Sequence, residues 1–220
     1  MPFTPAQLAQ LQPADVFLYR GKSFVSNMIQ LADGGQYTHA SLFVGNGNVI
    51  EMQGSGVVQR AVDDSVLDTV YVDVYRKNDL SVADRTAVLA NAQTFLLNGT
   101  RYAYDELLLL GLICLAKDVP NDLFKGMIAI SAKTIDDLLA HGTKKPMICS
   151  ELVYRCYASA HVGLGVTPVE LDKLVNTANA FEKKILNMLG KLKNTTDDDF
   201  VTPNDLGFSS VLSKVFRYTP

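Results

Sequence analysis

The segment from Tyr37 to Met52 constrains the fold more than any other. It reads Tyr-Thr-His-Ala-Ser-Leu-Phe-Val, then Gly45-Asn46-Gly47-Asn48, then Val-Ile-Glu-Met. Two short apolar runs joined by residues that tolerate positive φ form a β-hairpin, because such turns match the twist of the strands they join. Val16 to Tyr19, Val57 to Val62 and Val70 to Tyr75 continue the pattern with short runs rich in valine and tyrosine. Residues 14 to 76 therefore read as an antiparallel sheet. A helix is expected after it: Ser81 caps it, Asp84 stands at its third position, and Asn98-Gly99 ends it. Val88, Leu89, Ala92, Phe95 and Leu96 form the apolar stripe of that helix. A further helix over Cys149 to Ala160 follows Pro146, and the class is α+β.

The chain of 220 residues can form one sizeable domain, and it is read as a single domain over residues 1–220. Its second half is expected to carry helical additions at 106–145 and 158–200. Asp105 to Ala116 and Leu123 to Ala140 read as helices, and the stripe Leu171, Leu174, Val175, Ala178, Phe181, Ile185, Met188 and Leu189 as another. Val166-Thr167-Pro168 and Val201-Thr202-Pro203 each place threonine at an N-cap and proline at the first helical position, with an acid two residues on (Glu170, Asp205). Lys191 to Asp199 is polar and reads as a loop.

A formal net charge of −3 provides no attraction for nucleic acid or an anionic bilayer, so nucleic acid is not expected as a partner and membrane contact is not favoured. The apolar run Leu107 to Ala116 is about half of a bilayer span and reads as a buried helix. Residues 1–20 lack the basic start and apolar stretch of a secretory signal, which points to the cytoplasm, with signal-independent export left open. Three cysteines, Cys114, Cys149 and Cys156, make no disulfide framework, and their spacing matches no zinc site.

Chemistry concentrates at two places. His39 lies inside a strand, where an imidazole must find hydrogen-bond partners because burying it unpaired is costly. His141 and His161 lie in turns and are expected to face solvent. Cys149 opens a helix, where the positive end of the dipole and free backbone N–H groups lower a thiol pKa and can hold an oxyanion. Cys156, seven residues on, and Cys114, in the leucine-rich run, read as core. An imidazole base needs a third group to orient it, and Glu51, which interrupts the apolar run Val49, Ile50 and Met52, is the candidate.

In combination these residues resemble a known family. "HASLFVGNGNVIEM", with an acid twelve residues after the histidine, resembles the histidine hairpin of NlpC-type papain-like hydrolases. The cysteine helix "CSELVYRCY" comes last in this chain, as in the circularly permuted branch, the YiiX/YaeF-like amidases and the related lecithin:retinol acyltransferase-like proteins. "PADVFLYRGKS", "GTRYAYDE" and "VTPNDLGFSS" resemble further elements of that branch. The resemblance implies a papain-like antiparallel sheet packed against the nucleophile helix. It also implies Cys149 as nucleophile, His39 as base, Glu51 as orienter and Tyr104 as a ring beside the substrate. The implied reaction is hydrolysis of an amide, of peptide or cell-wall type, through an acyl-enzyme and without metal or organic cofactor. Two rivals stand beside it: an acyltransferase or lipid esterase with the same triad, and a binding module that has lost catalysis.

The alternation of side chains along a strand places one constraint on the triad. A two-residue turn at Asn46-Gly47 would pair Leu42 with Glu51 and put His39 and Glu51 on opposite faces of the sheet. The triad therefore requires an odd loop of Asn46, Gly47 and Asn48, or a β-bulge.

Overall fold

The computed structural model describes residues 3–22, 35–53, 55–99, 148–166 and 201–220. Six strands are present among these residues: Val16–Gly21 (β1), His39–Gly45 (β2), Asn48–Gln53 (β3), Gly56–Ala61 (β4), Thr69–Lys77 (β5) and Leu212–Tyr218 (β6). They form one sheet in the order β4-β3-β2-β1-β5-β6, with every neighbouring pair antiparallel. Five helices are described: Pro5–Leu8 (α1), Val62–Ser65 (α2), Val82–Asn98 (α3), Cys149–Ala158 (α4) and Pro203–Gly207 (α5). The fold is α+β, as expected, and each predicted strand lies within two residues of its expected limits.

Both faces of the sheet are buried. Alternation sends Val16, Leu18, Ala40, Leu42, Ile50 and Met52 to one face, where Val88 and Ala92 of α3 and Leu152, Val153, Cys156 and Tyr157 of α4 cover them. The intervening residues Phe17, Tyr19, Phe43, Val49, Val72 and Val74 pack beneath Phe3, Leu11, Val62, Val66 and Tyr218. Removing a large apolar side chain fully from water is worth about 1.5–3 kcal/mol, so these layers hold the helices to the sheet. Specific bonds then fix α4: Tyr157 Oη donates to the Ala14 carbonyl, Ser150 Oγ to the Val201 carbonyl at 2.6 Å, and Asn91 Nδ2 to the Cys156 carbonyl at 2.9 Å.

The helix signals hold. Ser81 Oγ accepts from the Asp84 N–H at 3.1 Å, and Gly99 closes α3 with φ 59°, a left-handed value suited to glycine. Thr202 and Asp205 cap α5 reciprocally, with Pro203 in its first turn. Cys156 is buried, and His161 is exposed in the turn after α4. Three elements were not expected from the residues. α1 and α2 are single turns too short to show periodicity. β6 is an edge strand of alternating but polar-rich sequence, and it joins the sheet beside β5 from 135 or more residues away. Tyr104, Cys114, His141, the 106–145 addition and most of the 158–200 addition lie outside the described residues.

Candidate active site

The β2–β3 turn resolves the question of parity. Asn46 and Gly47 make a two-residue turn, both with positive φ (51° and 70°), and Gly45 pairs with Asn48. The register then shifts between Phe43 and Gly45, so Val44 is an extra, bulged residue. Beyond it Phe43 faces Val49, Leu42 faces Ile50, and Ser41 faces Glu51. The bulge therefore returns His39 and Glu51 to one face, as the triad demands.

Their side chains meet. His39 Nε2 donates to Glu51 Oε2 at 2.8 Å, which leaves Nδ1 for the thiol of Cys149, the ring's other hydrogen-bond partner. Cys149 approaches from the helix side of the sheet while His39 lies on the opposite face. They come together at the start of β2, where the β2–β3 ladder has ended at Ser41 and Glu51. One residue beyond the ladder, the Ala40 amide turns to the thiol instead of to β3.

The helix start contributes the second amide. A serine or aspartate at an N-cap would take up the second or third amide of the helix. Ile148 holds that place in α4 with extended backbone (ψ 166°) and has no side-chain oxygen. The N–H of Ser150 is thus left to face the Cys149 sulphur. Glu151 Oε2 accepts from the Ile148 N–H at 3.3 Å, so the turn is closed from within the helix.

The electrostatics follow from these contacts. Burial alone would push the Cys149 thiol up; the facing imidazolium of His39 and the Ala40 and Ser150 amides outweigh burial and hold it below the ordinary thiol value. Burial alone would lower His39; the Cys149 thiolate and the Glu51 carboxylate reverse that and push it up to about 10. Burial would likewise raise Glu51, but His39 and then Arg60 hold it below the usual carboxylate range. These contacts therefore favour the charge-separated form of the pair, thiolate facing imidazolium. The His39 side chain keeps 25% of its surface exposed and Glu51 only 2%, while Cys149 is buried, so among the three it is the ring that reaches the surface.

Further residues complete the arrangement, and sequence reasoning missed them. Glu51 Oε1 accepts from Gln53 Nε2 at 2.9 Å and from Arg60 Nη1 at 3.2 Å. Arg60 also donates to the Asp64 carbonyl at 2.8 Å. Tyr19 packs its ring against His39, with centroids 5.1 Å apart, and its buried hydroxyl bonds Ser41 Oγ at 2.6 Å. Gln53 could have been found, since it lies two residues from Glu51 on one strand and so on the same face. Arg60 and Tyr19 become visible only through the registers Val49↔Arg60 and Tyr19↔His39.

No known protein-family profile matches the chain, and no curated protein matches it significantly. Among solved structures it is similar to a crystal structure described as the metalloprotein yiiX from Escherichia coli O157:H7. The TM-score is 0.60 and the identity 17%, over 96% of this chain and 99% of that one. At that identity the likeness shows a YiiX-like fold. "Metalloprotein" describes that protein. Here the Nε2 of His39 is committed to Glu51, and among the described residues no group of three or more His, Cys, Asp or Glu side chains is placed to hold a metal ion. No helix among the described residues is long and apolar enough to cross a membrane.

Proposed function

We propose that this chain is a cysteine hydrolase of the permuted papain-like type, acting on an amide of a peptide or small peptide-like substrate. One observation carries the reading: the Cys149 thiol faces His39 and two backbone amides, and these outweigh the cost of burying its charge. The YiiX-like fold and the order of the motifs, with the histidine hairpin first and the cysteine helix after it, support the same reading.

In this mechanism the thiol proton resides on His39, and Cys149 Sγ attacks the carbonyl carbon. Charge develops on the carbonyl oxygen beside the amides at the start of α4, where donors fixed in advance cost no reorganisation. His39 then gives its proton to the leaving nitrogen, the C–N bond breaks, and an acyl thioester remains. A water loses its proton to the same ring and attacks the thioester, which releases the acid and regenerates the thiolate. Glu51 keeps the ring in one tautomer and stabilises its cation through both steps. Tyr104, which lies outside the described residues, is assigned a substrate-side role only by the resemblance of its motif.

A panel of aminoacyl, peptidyl and acyl-ester substrates tests this directly, with wild type beside Cys149→Ala. Turnover of an amide by wild type and a loss of about 10³-fold or more in Cys149→Ala, with unchanged unfolding, is the expected result. Fatty-acid release from lipid vesicles in preference to any amide would select the esterase reading. Activity within about tenfold of wild type in Cys149→Ala would exclude Cys149 as nucleophile.

A further inference from the structure

Upstream of His39 the chain passes through Gly35, Gln36, Tyr37 and Thr38 before β2 begins. The first three of these residues lie outside the strand ladders that would fix their height above the sheet. Asn204, buried on α5 and 167 residues away, supplies the hold. Its Oδ1 accepts from the Gln36 N–H at 2.8 Å and the Tyr37 N–H at 2.9 Å, while its Nδ2 donates to the Tyr37 carbonyl at 3.0 Å. One side-chain amide thus bonds both polar groups of Tyr37, as a neighbouring strand would.

The fit is tight on both sides. A Cβ at Gly35 would overlap the Asn204 amide, and one at Gly207 would press into the Tyr37 ring at 2.5 Å. Directly after the clamp, the Thr38 N–H donates to the Tyr19 carbonyl at 2.8 Å, and Tyr19 pairs with His39. The α5 turn is itself fixed by its Thr202–Asp205 cap and, through Val201, by Ser150 at the start of the cysteine helix. Base and nucleophile are thereby referred to one short segment.

We propose that Asn204 is a positioning residue of the site: through the main chain of Tyr37 it sets the distance between His39 and Cys149. The proposal rests on the hydrolase reading above. Its specific claim is that loss of the clamp weakens the imidazole–thiol pair, and not merely the stability of the fold.

The test is the rate of iodoacetamide alkylation of Cys149 against pH in the full chain, followed by mass spectrometry of the Cys149 peptide. Wild type, Asn204→Ala, Asn204→Asp and Tyr37→Phe are compared, each with its urea unfolding curve. Asn204→Ala should move the inflection upward by about one pH unit, the scale of a weakened close charge pair, and lower kcat/KM by about 10²-fold. Asn204→Asp keeps the two accepted bonds and loses the donated one, so it is the less destabilised variant and shifts the inflection by less. Tyr37→Phe removes the hydroxyl bonds to Asp73 and Tyr75 but leaves the main chain alone, and should lower stability without moving the inflection. An unmoved inflection in both Asn204 variants overturns the clamp and leaves the hydrolase reading in place, as does an equal shift in Tyr37→Phe. A wild-type inflection at the ordinary thiol pKa overturns both.

Discussion

Among the described residues two strand carboxylates are buried, and their surroundings differ in kind. Asp73 on β5 is bound by Arg217 through Nε and Nη2, both at 2.7 Å, by Lys214 Nζ at 2.8 Å and by the Tyr37 hydroxyl at 2.7 Å. Glu51 on β3 has one arginine, one glutamine and an imidazole. Both acids are held below the usual carboxylate range against the pull of burial. Every cation on Asp73 is permanent at neutral pH, so its charge is spent within the cluster, which fastens β6 to β5. One partner of Glu51 can gain or lose a proton, and that partner touches a thiol. A buried acid in a strand is thus not evidence of a site. The proposed function rests instead on an acid whose charge is relayed through a titrating ring to a thiol.

The first way to break this contrast is to remove the ring. His39→Ala should lower kcat/KM by about 10³-fold or more, comparable to Cys149→Ala, because nucleophile and base act as one unit. The double variant should be no worse than either single one. A double variant far below both would show that the two residues work separately.

Glu51→Gln comes next in size. It retains a hydrogen-bond acceptor for His39 but no charge, so a loss of about 10- to 100-fold in kcat/KM is expected. The pH inflection of Cys149 alkylation should also rise, since an uncharged partner stabilises imidazolium less. An unchanged profile would make Glu51 a second Asp73, a structural acid that happens to lie near the ring.

Asp73→Asn is the smallest and should act on stability alone. It leaves partly exposed cations that regain water, so the cost is about 1–3 kcal/mol in urea unfolding, with kcat/KM essentially unchanged. The pH dependence has a definite sign. Because the folded-state pKa is depressed, the contribution is present above the unfolded carboxylate value of about 4. It is lost as pH falls through the folded one. Wild type should therefore lose more of its urea midpoint on acidification below about pH 4 than Asp73→Asn does. A large fall in kcat/KM for Asp73→Asn would show that the two clusters are coupled through Tyr37.

What could be read from the residues alone was what depends on neighbours in sequence. The hairpin at Gly45–Asn48, the Ser81 and Thr202 caps, and the helix opening at Cys149 each rest on a few adjacent side chains, and each is present. Cys149, His39 and Glu51 were named because a thiol at a helix start, a histidine in a strand and an acid in an apolar run are each locally out of place. The structure brings these three side chains together. Arg60, Tyr19 and Asn204 are locally ordinary. Their parts depend on registers and on contacts across up to 168 residues, which no periodicity reports. β6 escaped notice for a similar reason: it takes its place by pairing with β5, and its own alternation is weak.

Val44 gives the hairpin something like a reading frame. Were the strands to pair straight through at the present length, the two-residue turn would set Leu42 against Glu51 and Ser41 against Met52, and every side chain of β3 would change sides relative to β2. Loss of Val44 would instead remove the bulge and keep Ser41 opposite Glu51. The arrangement is therefore guarded by a parity and not by a residue type. A relative of this chain that kept the cysteine, the histidine, the acid and the loop length but lost the bulge would carry all three letters of the triad and be unable to spell it.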